Sequence, residues 1–162
     1  MKSSTENFDF VIGDAEASNS TPLAAGQLKK GSYILIKDKP CKITEYSTAA
    51  PGKHGHSKCT IVGYDIFTHK KMETILPSHH IAFVPIVTKY DYTLLDINEE
   101  GYCSLLSDTS DTREDIKLPL IPDGLASEIR QAYNNGEQVI ITLIRSMDYE
   151  QIVSFKSEDK NS

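Results

Sequence analysis

No stretch of the chain has the run of about 18 apolar residues that a bilayer-crossing helix needs. The opening Met1-Lys2-Ser3-Ser4-Thr5-Glu6-Asn7 also lacks the apolar core of a secretory signal. The expectation is a cytoplasmic protein with no membrane partner. Cysteine is sparse: Cys41, Cys59 and Cys103 are odd in number and have no paired spacing, which argues against a disulfide framework and for reduced thiols. Two chemistries lack their patterns as well. A phosphate-cradling P-loop would need a glycine five residues before Gly52 and a hydroxyl residue next to Lys53, and neither is present. His54 and His56, with His79, His80 and Cys59 as further candidates, have no second pair at zinc spacing. No metal and no cofactor is expected.

The formal net charge of −6 hides a split. Residues 1–16 carry one Lys against four acids, net −3. Residues 17–86 carry nine Lys against four acids, net +5, and residues 87–162 carry seven basic residues against fifteen acids, net −8. Lys and Arg bind a polyanion by releasing its counterions, so the basic half is where a nucleic acid would be met.

The turns and apolar runs divide the chain into a flexible acidic tail (1–20), a first unit (21–86), a second (87–157) and a polar tail (158–162). In the first unit Ser32–Lys37 reads as a strand, Asp38-Lys39-Pro40 as its turn, and Cys41–Tyr46 and Lys58–Phe67 as an antiparallel pair rich in β-branched and aromatic residues. Lys71–Leu76 and His79–Pro85 follow as strands, with no convincing amphipathic helix among them. The expectation is an all-β unit, a small closed or partly open barrel.

The second unit reads as strands at Thr88–Ile97, Tyr102–Leu106, Ile116–Leu120, Glu137–Ile144 and Tyr149–Phe155. Its one short helix, with Asp123 as the cap, puts Leu125, Ile129, Ala132 and Tyr133 on one face, and Asn134-Asn135-Gly136 ends it. Five strands with one helix fit an OB-fold barrel. Asp108, Asp111, Glu114 and Asp115 read as the solvated face of a loop, and Cys41 and Cys59 as small buried groups facing one another in the first barrel.

Between the paired strands, Ser47 to Ser57 exceeds the usual hairpin loop of about 2–5 residues and reads as an exposed arm. Its tip, Pro51-Gly52-Lys53-His54-Gly55-His56-Ser57-Lys58, sets one lysine between two glycines. Gly52 and Gly55 permit a sharp turn and add no side chain, while Pro51 stiffens the approach. A lysine on a turn is ordinarily just a solvated side chain; here the surrounding pattern says more.

The run Gly52-Lys53-His54-Gly55-His56, with Lys58 after it, resembles the modified-lysine loop of the eukaryotic translation initiation factor 5A family, Ser-Lys-Thr-Gly-Lys-His-Gly-His-Ala-Lys. The resemblance continues through Lys39-Pro40-Cys41-Lys42-Ile43, Asp65-Ile66-Phe67-Thr68, Leu94-Leu95-Asp96-Ile97 and Arg113–Pro119, and spans roughly Thr21 to Phe155. It implies an SH3-like barrel bearing the arm, followed by the OB-fold domain. It further implies a non-enzymatic translation factor that binds the ribosome, contacting peptidyl-tRNA and rRNA, and promotes elongation, notably at proline-rich stalls, and termination.

In that family the lysine matching Lys53 becomes hypusine: deoxyhypusine synthase adds an aminobutyl group from spermidine, and deoxyhypusine hydroxylase adds a hydroxyl. The resemblance makes Lys53 the essential contact, with Gly52, His54, Gly55, His56 and Lys58 as its loop. Lys29, Lys30, Lys37, Lys39 and Lys42 would add a basic surface. A homodimer is one assembly open to such a chain. Three positions depart from the pattern: Ala49-Ala50-Pro51 replaces Ser-Lys-Thr, Ser57 replaces alanine, and His69 stands where a turn glycine is common. The alternative reading is an unmodified two-domain RNA-binding protein, and a more distant one a metal-dependent hydrolase using His54 and His56.

Overall fold

The computed structural model describes residues 19–50 and 57–160. The chain divides between Ile86 and Val87 into two compact units, each mainly antiparallel strands.

The first unit runs β1 (Ser20–Ala24), a single 3-10 turn (Ala25–Gln27), β2 (Tyr33–Ile36), β3 (Lys39–Ala49), β4 (Lys58–Asp65), β5 (Lys71–Pro77) and β6 (Ile81–Pro85). The four strands β2-β3-β4-β5 form one sheet in that order, and β1 pairs with β6. Alternation drives the packing, because side chains two apart on a strand share a face. On β4, Cys59 and Ile61 are fully buried while Lys58, Thr60 and Tyr64 face outward. Ile34, Ile43 and Ala82 join that core. Gly63 has a specific reason to be glycine: a Cβ there would lie 2.9 Å from the Lys42 carbonyl oxygen and 3.2 Å from Cys41 Cβ, where β3 bulges between Ile43 and Glu45.

Several boundaries differ from the expected ones, each for a physical reason. The β2–β3 turn is Lys37-Asp38, both in the left-handed region (φ 52° and 64°), the pattern of a two-residue turn whose twist matches the strands. Pro40 therefore already lies in β3, opposite Leu35, rather than in the turn. β4 ends at Asp65 rather than Phe67, since the buried Asp65 carboxylate accepts the backbone N–H groups of Phe67 (2.8 Å) and Thr68 (3.2 Å) and bends the chain. Ser20, placed in the tail by sequence, is buried in β1 and pairs with Pro85.

The second unit runs β7 (Thr88–Ile97), β8 (Tyr102–Leu106), β9 (Thr112–Lys117), α1 (Leu125–Asn134), β10 (Gln138–Ser146) and β11 (Tyr149–Glu158). Its sheet order is β11-β10-β7-β8-β9, all antiparallel, with the helix between the third and fourth strands: the expected OB arrangement. The helix buries Leu125, Ile129 and Ala132 against Val139, Ile141 and Ile152, and Gly136 (φ 78°) follows its end.

Its start is different from the expected one. Gly124, at φ 90°, occupies the capping position without any side-chain cap bond, so Asp123 does not cap it. β9 begins at Thr112, inside the stretch read as loop. β11 continues past Phe155 to Glu158, which pairs with Gln138.

Candidate functional site

Gly52, Lys53, His54, Gly55 and His56 lie outside the described residues; the structure describes the mounting that carries them. β3 and β4 stay paired up to Ala49 and Lys58, so the strands run further towards Lys53 than the expected arm from Ser47 to Ser57 allowed. Ser47 and Thr48 are already strand, opposite Thr60 and Cys59. Lys58 sits on a central strand, exposed, with Ala49 on one side and Pro77 on the other. A paired base of this kind spares part of the entropy of ordering a free loop of the full length.

A chain of hydrogen bonds locks that base. Ser57 and Ser78 bond through their hydroxyls and again through Ser78 N–H to the Ser57 carbonyl (2.9 Å). Ser78 Oγ lies 3.4 Å from Cys59 Sγ, which lies 3.4 Å from the Tyr46 hydroxyl, which donates to the Ala25 carbonyl at 2.7 Å. Tyr46 has one proton and spends it on Ala25. The order of donors follows: Ser57 to Ser78, Ser78 to Cys59, Cys59 to Tyr46, Tyr46 to Ala25. Burial above all pushes the Tyr46 phenol up to about 12, so it remains a neutral donor at ordinary pH. The 3-10 turn closes over Ser78, with Gly26 N–H donating to its carbonyl at 2.9 Å. A Cβ on Gly26 would come within 3.2 Å of both Ser78 Cβ and its carbonyl oxygen.

Ser78, Tyr46 and Gly26 were not legible as site residues. Ser57 and Ser78 are 21 positions apart, and only the pairing of β4 with β5 brings them together. The one local signal was the replacement of the family's alanine by Ser57.

Cys41 and Cys59 share the first core and are free thiols, as is Cys103 in the second. Burial first, and then the Asp65 carboxylate, push the Cys41 thiol up to about 11; burial does the same for Cys103. Neither is set up as a nucleophile. Cys59 serves instead as a link in the hydrogen-bond chain.

The basic residues separate into groups. Lys37 and Lys39 border the β2–β3 turn, and Lys42 lies three residues into β3. Antiparallel order puts the β4–β5 turn at the same end of the sheet, where Lys70 and Lys71 join them. Lys58 is at the opposite end, and Lys29 and Lys30 occupy a separate turn before β2 that bonds back to Ile43 through Gly31 N–H (2.8 Å). Of the five lysines expected to form a basic surface, three thus lie at one end of the sheet with Lys70 and Lys71 and two do not. His79 and His80 are exposed on the β5–β6 turn. Among the described residues no three His, Cys, Asp or Glu gather as a metal would require.

In the second unit the acidic residues are more structured than a solvated face. Arg113 on β9 bonds both oxygens of Asp115 (2.8 Å each) and both of Glu150 on β11 (3.0 and 2.8 Å), with its guanidinium 5.8 Å from the centre of the Tyr92 ring. This fork joins the two edge strands of the sheet. It lowers the pKa of both carboxyls, through the hydrogen bonds above all. Ser104 donates to Glu114 at 3.2 Å. No helix among the described residues is long and apolar enough to cross a membrane.

Comparison with known proteins agrees with both units. Residues 18–80 match the family model "Translation initiation factor 5A-like, N-terminal" and residues 86–156 the model "Eukaryotic elongation factor 5A hypusine, DNA-binding OB fold". The chain is 44% identical over 153 residues to eukaryotic translation initiation factor 5A-2 of Arabidopsis thaliana, covering 94% of this chain and 96% of that one. It is 46% identical over 143 residues to factor 5A-4 of Solanum tuberosum, with 88% and 89% covered.

Among solved structures, a translation initiation factor 5A family protein from Naegleria fowleri superposes with a TM-score of 0.81 at 43% identity, covering 85% of this chain and 99% of that one. The factor 5A of Methanococcus jannaschii superposes at 0.66 with 27% identity, covering 85% and 96%. Matched through both domains and along nearly its whole length, the chain belongs to the eukaryotic translation initiation factor 5A family.

Proposed function

We propose that this chain is a non-catalytic cytoplasmic translation factor. It binds the ribosome and extends Lys53, modified to hypusine, towards the acceptor end of peptidyl-tRNA, with rRNA around it. The observation that carries this reading is the mounting: a hairpin paired up to Ala49 and Lys58, with its base tied to the barrel through Ser57, Ser78, Cys59 and Tyr46. A rigid base holding one long cationic side chain works by position. It orients a tRNA end for reaction, and orientation can supply several kcal/mol of a barrier. The longer modified side chain adds reach and a second cationic donor for phosphate.

The modifying partners would be deoxyhypusine synthase and deoxyhypusine hydroxylase, acting on Lys53 through a loop with Gly52, His54, Gly55 and His56 and, beside it, Lys58. Ala49-Ala50-Pro51, where the family pattern has Ser-Lys-Thr, keeps the unmodified RNA-binding reading as the alternative, because the synthase must grip this stretch. Two measurements test the proposal. Mass spectrometry of the Lys53 peptide from the native cell is expected to show the hypusine increment. A Lys53→Arg protein is expected to leave ribosomes stalled in proline runs in depleted cells, and normal elongation there would overturn the proposal.

A further inference from the structure

Strand register puts four side chains in one row across the outer face of the first unit. Tyr33 on β2 pairs with Lys42 on β3, Lys42 with Tyr64 on β4, and Tyr64 with Lys71 on β5. Directly opposed residues of an antiparallel sheet project from the same face. The flanking Cys41, Ile43 and Gly63 are buried, so this row faces out: Lys42 and Lys71 are exposed, Tyr64 is 40% exposed and Tyr33 half-buried. Four adjacent strands make the row about 14 Å long. Among the described residues neither lysine is within ion-pair distance of a carboxylate.

We infer that this row is a binding site for unpaired RNA. Alternation of ring and cation is what a single strand asks of a protein: flat faces on which successive bases stack, with positive charge between them for the phosphates. The surroundings give the site direction. On the arm side the next rung is Glu45, Val62 and Glu73, whose carboxylates repel a phosphate backbone. On the other side the next pair on this face is Leu35 and Pro40, which carry no charge. The strand is therefore kept off the arm side and held to the row.

Tyr64 is six residues along β4 from Lys58, a separation of about 20 Å. The row is thus a second point of attachment, remote from Lys58 at the base of the arm, that sets the register of the arm on its RNA partner. This inference rests on the first unit facing RNA and not on the modification of Lys53.

The test is fluorescence anisotropy of the full-length protein with labelled single-stranded octaadenylate, and with the same strand in a duplex. Tyr64→Thr is expected to weaken single-strand binding about tenfold, within the range for loss of one base stack, and Tyr64→Phe to stay within twofold of the parent. The double variant Lys42→Gln, Lys71→Gln is expected to flatten the slope of log affinity against log salt by about 1.4, at about 0.7 for each phosphate on a single strand. Thermal melts matching the parent's exclude unfolding as the cause. Equal affinity for the duplex, indifference to Tyr64→Thr, or equally tight binding of a polyglutamate peptide would each overturn the inference. The substitutions lie in the row alone and the readout is affinity for an isolated strand, so a failure of the proline-run experiment and a failure of the row are told apart.

Discussion

The first unit holds the base of its arm with neutral groups, two hydroxyls, a thiol and a phenol in series, whereas the second joins the edges of its sheet with an Arg fork between two carboxylates. The fork ties together two edge strands that backbone pairing leaves apart, while the neutral chain crosses strands already paired and ties them to the 3-10 turn. Their chemistry follows the charge of their surroundings. The base of the arm lies in a region of net +5, and its chain of bonds uses no charged group. The second unit, at net −8, uses one of its few cations to neutralise two of its many acids. The contrast teaches that neutral and charged polar contacts can both secure a barrel, and that here each goes with the charge of its surroundings.

The sharpest way to break this comparison is acid. Glu150 and Asp115 have lowered pKa values in the folded chain, chiefly through hydrogen bonds from Arg113. Between the folded and unfolded values the unfolded chain binds more protons, so their stabilisation is present above the usual carboxylate range of about 4 and is lost as pH falls through the folded values. Glu150→Gln is expected to lower the stability of the second unit by about 2 kcal/mol at neutral pH, the scale of a charge-assisted hydrogen-bond pair, and to flatten its acid dependence. Thermal melts between pH 3 and 7 check this, and an unchanged acid dependence would remove the fork from the account.

A smaller effect tests the other side. Tyr46→Phe leaves the Ala25 carbonyl and the Cys59 thiol without their shared partner and is expected to cost about 1 kcal/mol. The phenol, pushed up to about 12, stays protonated in the folded chain while the unfolded chain ionises near 10. Its contribution is therefore full below about 10 and declines as pH rises through the folded value. Alkaline melts of the parent and of Tyr46→Phe should converge above that range; parallel curves would show that the chain of bonds carries no stability.

The smallest effect is a gain. His69 has φ 63°, the left-handed region where a side chain crowds its own backbone. His69→Gly is expected to raise stability by roughly 0.5–1 kcal/mol, the steric relief being reduced by glycine's greater freedom when unfolded. Chemical denaturation of the two proteins measures it, and a loss on substitution would mean the histidine has a contact worth more than the strain.

His69 also shows how much was legible in the sequence. Its position in the turn and its oddity there were visible from the pattern alone; only the backbone shows that the oddity is conformational. The helix was readable because Leu125, Ile129 and Ala132 recur at helical spacing and need one apolar face. Its cap was not, because Asp123 satisfies the usual rule while Gly124 takes the left-handed turn that the entering chain requires. The turns Lys37-Asp38 and Met147-Asp148 both have two positive φ values without the glycine that usually announces them, so the first was misplaced by two residues onto Pro40.

By itself the sequence determined the two mainly β units, the helix of the second unit, the charge division and the isolation of Lys53 between glycines. These depend on residue order, on alternation and on turn chemistry, all of which are local. The tertiary structure alone decided that Ser57 meets Ser78, that Cys59 links Tyr46 to the arm, that Arg113 meets Glu150, and that Tyr33, Lys42, Tyr64 and Lys71 share a row. Each of these joins residues from separate strands, and their meeting is set by pairing register. Register is chosen by the burial of whole strand faces and by bulges such as the one between Ile43 and Glu45, which no short window of sequence specifies.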